Sequence, residues 1–395
     1  MNALFAHDHI FYRFENLYYS NGGLSGDVLS RYTQVFEHLS IVSRQMVINE
    51  FNEKLTYSSI DNTEFIHIPN FKSLRSLNNY KAAQKIIKES VFKCDCLIAR
   101  LPSAIGEIAI KYAKQFNKPY LIEVVGCAWD ANINHGSVFG KILAPYEFLT
   151  NRSYIKESKY TIYITKEFLQ RRYPTNGLSV VCPNVHIGNV DSEIFNKRIN
   201  KINYPSKILK FGLIGSLDVD YKGHKTVIKA LASIKDKIPK FKIEFLGKGD
   251  PSRWLSLIKE LDLEENVDFI GSLPSGKEVF TWMDSIDIAL QPSSAEAQGR
   301  SIIEAMSRGC PMISSRVGGI PELIDDEWLV APGDHKDLAL KIRSMIQDKE
   351  LQINQAKRNF QEAKQYSKTK IEDTRRSFLL EFKNKINDNY GKKYD

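Results

Sequence analysis

The stretch Ile286–Pro321, IDIALQPSSAEAQGRSIIEAMSRGCPMISSRVGGIP, limits the possible folds more than any other part of the chain. Ile286, Ile288 and Leu290 alternate with other residues into Pro292, the pattern of a buried strand running into a loop. Ser301 to Met306 then reads as a helix, with Gly309 placed to end it and Pro311 just beyond. Met312-Ile313 starts a further strand, and Gly318-Gly319 breaks it. Residues 1–185 also alternate short apolar runs with amphipathic stretches, as a doubly wound α/β domain does. In such a fold, a strand, a glycine loop and a helix N-terminus make an anion site, because unpaired N–H groups and the helix dipole meet at one spot. Glu296 precedes that spot. Glu304 lies about one turn inside the helix, on the side shared with Arg300. A ligand with both phosphate and vicinal hydroxyls suits this set, since carboxylates accept hydrogen bonds from sugar hydroxyls. A nucleotide sugar is such a ligand.

Glu296 and Glu304, followed by Ala305-Met306, Gly309-Cys310-Pro311 and Gly318-Gly319, resemble the E-x7-E signature of retaining family-4 glycosyltransferases (glycosyl transferases group 1) of bacterial surface-polysaccharide type. The resemblance is close over residues 208–335 and loose over 1–190. It implies a GT-B architecture within the α/β class: two Rossmann-like doubly wound domains facing a central cleft, with a C-terminal crossover helix. Residues 1–190 would form the acceptor-binding domain and 208–366 the nucleotide-sugar domain. The polar, basic 191–207 would be a linker, and 367–395 a helix returning to the first domain.

A hydrophobic share of 43% and an aromatic share of 11% belong to a folded protein, which excludes a disordered binder. No apolar run approaches the roughly 20 residues that span a bilayer, and the first residues do not read as a signal peptide. Cys94, Cys96, Cys127, Cys182 and Cys310 lack metal-ligand spacing, so buried free thiols and a reduced, cytoplasmic location are expected. The formal charge of +8 has no nucleic-acid motif beside it. It leaves a lysine-rich background or attraction to an anionic membrane, the latter placing the chain at the inner face of the plasma membrane.

Candidate strands in the first half are Ala3–Phe5, Ile41–Ile48, Phe65–Ile68, Leu97–Ala99, Tyr120–Val125 and Tyr160–Ile164. Between the first two lies a glycine-rich loop with Gly22 and Gly23. It either faces the cleft, as in the resembled family, or only connects strand to helix. Lys72, Arg75, Lys81, Lys85, Lys88 and Lys93 make the 72–93 segment a basic amphipathic helix, which either contacts anionic lipid or is a solvated face. Asp130 and His135 follow strand ends, where α/β sheets build their ligand crevice. They are candidates for touching acceptor or hexose, the alternative being ordinary turn residues.

In the second half, Lys222 sits beside Gly223 between a strand and a helix start, well placed for a diphosphate. The resembled family has an Arg shortly before this Lys, and Ser216 stands there instead; Arg300 or Arg316 are the cations available to compensate. Gly247, Lys248, Gly249, Gly271 and Ser272 resemble the family's base-binding walls, while Gly299, Arg300 and Ser301 would meet the phosphates. The resemblance implies a hexosyltransferase (EC 2.4) that moves a hexose from a UDP- or GDP-sugar to a glycan acceptor, lipid-linked, with retention. Lys222 would neutralise the leaving group, Glu296 hold hexose hydroxyls and Glu304 the ribose. No metal ion or other cofactor is expected. The rival readings are a non-catalytic nucleotide-sugar-binding partner of another transferase, motivated by Ser216, and a nucleotide-sugar epimerase, which would need more acid–base groups than the chain places there.

Overall fold

In the computed structural model, which describes residues 1–71, 77–134, 138–185, 187–188 and 191–391, the chain forms two units. One is Met1–Cys182 with the C-terminal helix from Ile371 onward; the other is Pro183–Lys370.

The strands of the first unit are β1 (Asn2–Phe14), β2 (Leu17–Ser20), β3 (His38–Val47), β4 (Thr56–Tyr57), β5 (Thr63–His67), β6 (Cys96–Leu101), β7 (Tyr120–Val124), β8 (Tyr160–Tyr163) and β9 (Leu178–Val181). Seven pair in parallel in the order β5-β3-β1-β6-β7-β8-β9. Every residue of β6 is buried, as expected where helices cover both faces of a parallel sheet. β1 runs far past the expected Ala3–Phe5. Its polar His7-Asp8-His9 segment coincides with a register shift against β3, and the strand then resumes through Tyr12 and Phe14. Asp8 accounts for part of this tolerance, since its carboxylate accepts from the amides of Ala104 (2.9 Å) and Ile105 (3.4 Å) at the start of helix Ala104–Gln115. Beyond the parallel core, β2 pairs antiparallel with β1 and β4 antiparallel with β2, so the Gly22-Gly23 loop follows β2 and not the first strand.

A buried charge cluster fastens the C-terminal helix Lys368–Gly391 within this unit. Arg375 donates to Glu123 Oε1 (3.1 Å) and to the carbonyl of Cys182 (3.1 Å). Tyr32 also donates to Glu123 (2.9 Å), and Arg100 lies 3.5 Å from its other oxygen. Burial pushes the Glu123 carboxyl up, but Arg375, Arg100, the Tyr32 hydroxyl and Arg31 outweigh it and hold it below the ordinary carboxylate range.

The second unit has β10 (Leu209–Ile214), β11 (Phe241–Leu246), β12 (Val267–Gly271), β13 (Ile288–Gln291), β14 (Met312–Ser315) and β15 (Leu329–Val330). All pair in parallel, in the order β12-β11-β10-β13-β14-β15. Chain order reverses between β10 and β13. That reversal leaves a crevice beyond their carboxyl ends, since the two following crossovers go to opposite faces.

The segment expected to be a linker, 191–207, contains a helix, Ser192–Asn203, capped by Asp191. Ile194, Phe195, Ile199 and Ile202 lie along one face of it, with the Phe195 ring 5.0 Å from that of Phe360 and Ile202 buried, and an arginine anchors the same face. The buried Arg198 guanidinium donates to the carbonyls of Arg308 (3.1 Å), Ile286 (2.7 Å) and Met283 (2.8 Å). No helix among the described residues is long and apolar enough to cross a membrane. All five cysteines are free and buried.

Candidate active site

The loops after β10 and β13 meet at the crevice of the second unit. The amide of Ser294 donates to the carbonyl of Tyr221 at 2.8 Å, which ties one loop to the other. That tie brings Lys222, at the end of a short 3-10 turn, against Glu296 in the β13 loop: Nζ to Oε2 is 2.7 Å, with both side chains about a fifth exposed or less. The neighbouring loops belong to the same assembly. Gly215 N donates to the carbonyl of Leu246 (2.9 Å), Leu217 N to that of Lys248 (2.8 Å), and Gly247 N to that of Gly271 (2.8 Å). Ser216, Gly247, Lys248 and Gly271 therefore border one edge of the sheet, with the Lys248 side chain exposed.

Glycine is required at two points here. Gly299 has φ +78° and caps helix Arg300–Ser307 from the left-handed region, its carbonyl accepting from Ile302 and Ile303. Gly318, at φ +58°, lies so close to the β13 loop that a Cβ there would sit 1.5 Å from the Glu296 carbonyl oxygen. The paired glycines thus back the segment that holds Glu296, with Gly319 N donating to the carbonyl of Ala297 at 3.0 Å.

Beneath the loop runs a polar network that the sequence reading did not pick out. Gln291 Nε2 donates to Ser293 Oγ (3.0 Å), Ser301 Oγ to Gln291 Oε1 (3.4 Å), and Ser314 Oγ to the Gln291 carbonyl (2.7 Å). Ser315 donates to the Ser293 carbonyl. These groups are buried or half-buried and link the ends of two strands to the first turn of the helix. Gln and Ser closing the otherwise apolar runs IALQ and MISS were the available signal, since buried polar groups require partners.

The amides of Arg300 and Ser301 have no protein acceptor among the described residues, and the Arg300 side chain is exposed beside them. Glu304 is half-buried, with no hydrogen bond or ion pair to its carboxylate among the described residues. Burial pushes its carboxyl above the usual range, and only the Arg300 guanidinium pulls it back. Of the two cations considered as replacements for the missing Arg, Arg316 is engaged by the Asp326 carboxylate at 2.5 Å, while Arg300 forms no ion pair among the described residues. Ser216 accepts the Asp218 amide at 3.3 Å. A further cation, Arg253, reaches the same loop, donating to the Leu217 carbonyl (3.2 Å) and to Asp220 (2.6 Å). Its place was not legible because only the fold carries the segment after β11 to the loop after β10. His224, which opens the next helix, is buried against Trp254 and Phe245, and burial, Arg253 and Lys222 lower its pKa to about 4.

In the first unit, Gly22 (φ +106°) and Gly23 form the turn after β2, Gly23 beside the His9 ring. Asp130 lies in helix Ala128–Asn134 and pairs with Arg172 at 2.9 Å. His135 lies outside the described residues, as do Lys72 and Arg75.

Residues 195–363 match the family described as Glycosyl transferases group 1. Protein CapJ of Staphylococcus aureus is 34% identical over 393 residues, spanning 99% of this chain and 98% of CapJ. The chain belongs to the glycosyl transferases group 1 family. A second relative, the amylovoran biosynthesis glycosyltransferase AmsK of Erwinia amylovora, is 31% identical over 177 residues, 41% of this chain and 42% of AmsK. Among solved structures, Anabaena Alr3699/HepE in complex with UDP and glucose aligns over 99% of both chains with a TM-score of 0.63 at 16% identity. The fold is accordingly GT-B, built on two Rossmann-like parallel sheets. Membership of this glycosyltransferase group makes the chain a glycosyltransferase, and the loops around Lys222 and Glu296 fall inside the matched region.

Proposed function

We propose that this glycosyltransferase transfers a hexose, with retention, from a UDP- or GDP-sugar to a lipid-linked glycan acceptor in the assembly of a bacterial capsule, O-antigen or exopolysaccharide. The observation that carries the proposal is the Lys222–Glu296 pair at 2.7 Å in the switch-point crevice, beside a helix start whose first amides lack acceptors. The names of AmsK and of the UDP-bound HepE support the polysaccharide setting and the nucleotide.

In this reading the donor diphosphate lies between Lys222, Arg300 and the amides of Arg300 and Ser301. Lys222, held by Glu296, and the helix amides are in place before the substrate arrives, so they stabilise the leaving phosphate with little reorganisation. Glu296 accepts from hexose hydroxyls and stabilises positive character in the ring. Glu304 accepts from the ribose diol, and the hydrogen bonds gained there offset the cost of its burial. The backbone at Gly247 and Gly271 borders the base, with Lys248 at the same edge. The acceptor hydroxyl attacks on the face the diphosphate leaves. The C1–O bond to phosphate breaks, the C1–O bond to the acceptor forms, and the acceptor proton passes to the departing phosphate oxygen. Residues 1–190 present the acceptor, with Gly22, Gly23, Asp130 and His135 as contact candidates. The exposed Lys81, Lys85, Lys88 and Lys93 on helix Leu77–Lys93 give the 72–93 segment an electrostatic attraction to anionic lipid at the cytoplasmic face.

The test is nucleotide release from a panel of UDP- and GDP-sugars, by the wild type and by Glu296→Gln. Loss of turnover by at least 100-fold with the fold retained supports the proposal, as does turnover that persists in EDTA. Equal turnover of the variant overturns the role of Glu296. A wild type that turns over no donor, while raising the activity of a co-expressed transferase, would establish the non-catalytic partner reading instead.

A further inference from the structure

The β extension of the first unit carries an uncovered aromatic face. Register places Met46 of β3 opposite Tyr12 of β1, Tyr12 opposite Tyr19 of β2, and Tyr19 opposite Tyr57 of β4. Opposed residues in a sheet point to the same side, so these four form one row across four strands. Phe14, opposite Leu17, starts a second row on that side. Phe51, from the segment after β3, closes the cluster, its ring 5.1 Å from that of Tyr19 and 5.9 Å from that of Phe14. Tyr19 and Tyr57 rings are 5.8 Å apart. The other side of the same ribbon is conventional core, with Phe11 buried and Tyr18 stacked on Phe65 at 4.2 Å.

The aromatic side is open to water at its margins, with Tyr12, Phe14 and Tyr19 between them half-buried. Met46 and Tyr57 are each 49% exposed and Phe51 46%. A contiguous exposed apolar patch on a folded domain marks a binding surface. Its rim selects among occupants. Exposed Glu15, Glu50 and Glu53 stand nearby against Arg13 and Lys54, so the surroundings offer no basic excess to hold an anionic membrane. Exposed Asn16, Asn49 and Asn52 add neutral donors and acceptors suited to hydroxyl groups. A pyranose ring matches both features, since its C–H face is apolar and packs on an aromatic ring while its hydroxyls remain solvated. The ribbon also extends past the point where β1 leaves β6, at Ala6–Ala99, and so lies on the carboxyl-end side of the sheet.

We propose that the Tyr12–Tyr19–Tyr57 row with Phe51 is a stacking platform for pyranose rings of an oligosaccharide, the part of the acceptor glycan behind its reacting end. This rests on the glycan-acceptor reading above and adds the site that holds the chain of sugars. The platform rewards acceptors of two or more rings over monosaccharides, since the row is several residues wide.

The experiment uses the full chain on an array of pyranose oligosaccharides of two to six residues, with wild type, Tyr57→Leu, Tyr57→Phe and Phe51→Ala. UDP and GDP binding by calorimetry is measured in parallel on every variant. The expected result is wild-type binding that increases with oligosaccharide length. It should fall at least tenfold in Tyr57→Leu and Phe51→Ala and persist within threefold in Tyr57→Phe, with nucleotide affinity within twofold throughout. Tyr57→Leu keeps the patch apolar while removing the ring, so equal binding by this variant overturns the proposal. No glycan binding by the wild type overturns it as well, and intact nucleotide binding would then leave the donor-site reading standing. Wild-type self-association abolished by Tyr57→Leu, or wild-type binding to phosphatidylglycerol vesicles abolished by it, would assign the patch to a second copy or to a membrane and overturn it too.

Discussion

Replacing Arg375 with Met should loosen the first unit while leaving the second intact. The Arg375 side chain is 1% exposed, and it holds the equally buried Glu123 at 3.1 Å and the Cys182 carbonyl at 3.1 Å. Removing one member of a buried ion pair costs about 3–5 kcal/mol, because the remaining charge stays buried without its partner. Glu123 keeps the Tyr32 hydroxyl at 2.9 Å and Arg100 at 3.5 Å, so the lower end, about 3 kcal/mol, is expected. At 1.36 kcal/mol per factor of ten, that is roughly 150-fold in a local opening equilibrium. Hydrogen exchange read by mass spectrometry resolves the two units, so global two-state unfolding need not be assumed. Peptides covering β7 and the C-terminal helix should exchange faster by about that factor, and peptides from β10 and β13 should not change. Combining Arg375→Met with Glu123→Gln removes the stranded charge and should restore part of the loss. Acceleration below tenfold in the single variant, or equal acceleration in both units, would refute the reasoning.

Three further outcomes follow from the second unit. Gly318→Ala places a Cβ against the Glu296 carbonyl in a left-handed backbone; the backbone strain alone costs about 2 kcal/mol and the displacement of the carbonyl adds to it, so stability by denaturant midpoint should fall by more than that and UDP or GDP binding should weaken at least tenfold. Arg198→Met deprives three carbonyls of their donor and should destabilise this unit by about 3 kcal/mol, seen as faster exchange in helix Lys277–Ser285. His224 has a folded pKa of about 4 against an unfolded value near 6.5, so the unfolded chain takes up its proton first. Its contribution is therefore complete above pH 6.5 and is lost as pH falls toward 4, by about 3 kcal/mol; His224→Phe should flatten the stability–pH curve over that window, and an unchanged slope would count against it.

Most of the parallel strands were legible because buried strands read as apolar runs, as in Cys96–Leu101, but β9, Leu178–Val181, was not, since it is largely exposed and has no buried run to mark it. The loop, helix and glycines from Pro292 to Gly319 were legible for a different reason: a glycine forced into the left-handed region and a helix start each leave a local mark. What depended on distant partners was hidden. β1 was cut short at Phe5 because His7-Asp8-His9 looks like a loop until Ala104, Ile105 and the β3 register shift supply its context. The helix Ser192–Asn203 passes for a linker because charged and polar residues dominate it and a buried arginine occupies part of its inner face, although Ile194, Phe195, Ile199 and Ile202 keep a helical period. The aromatic row was present in the sequence as Tyr12, Tyr19 and Tyr57, but only the pairing of β1, β2 and β4 sets the three side by side.

Calorimetric titration of UDP and GDP into wild type and Lys222→Met tests most directly whether the β10–β13 crevice grips an activated sugar. A charge-assisted hydrogen bond from Lys222 to the diphosphate contributes about 1.5–3 kcal/mol. One of the two nucleotides should therefore bind the wild type and bind Lys222→Met between about 10-fold and 150-fold more weakly. Equal affinity in both proteins, or no binding of either nucleotide by a folded wild type, would contradict it.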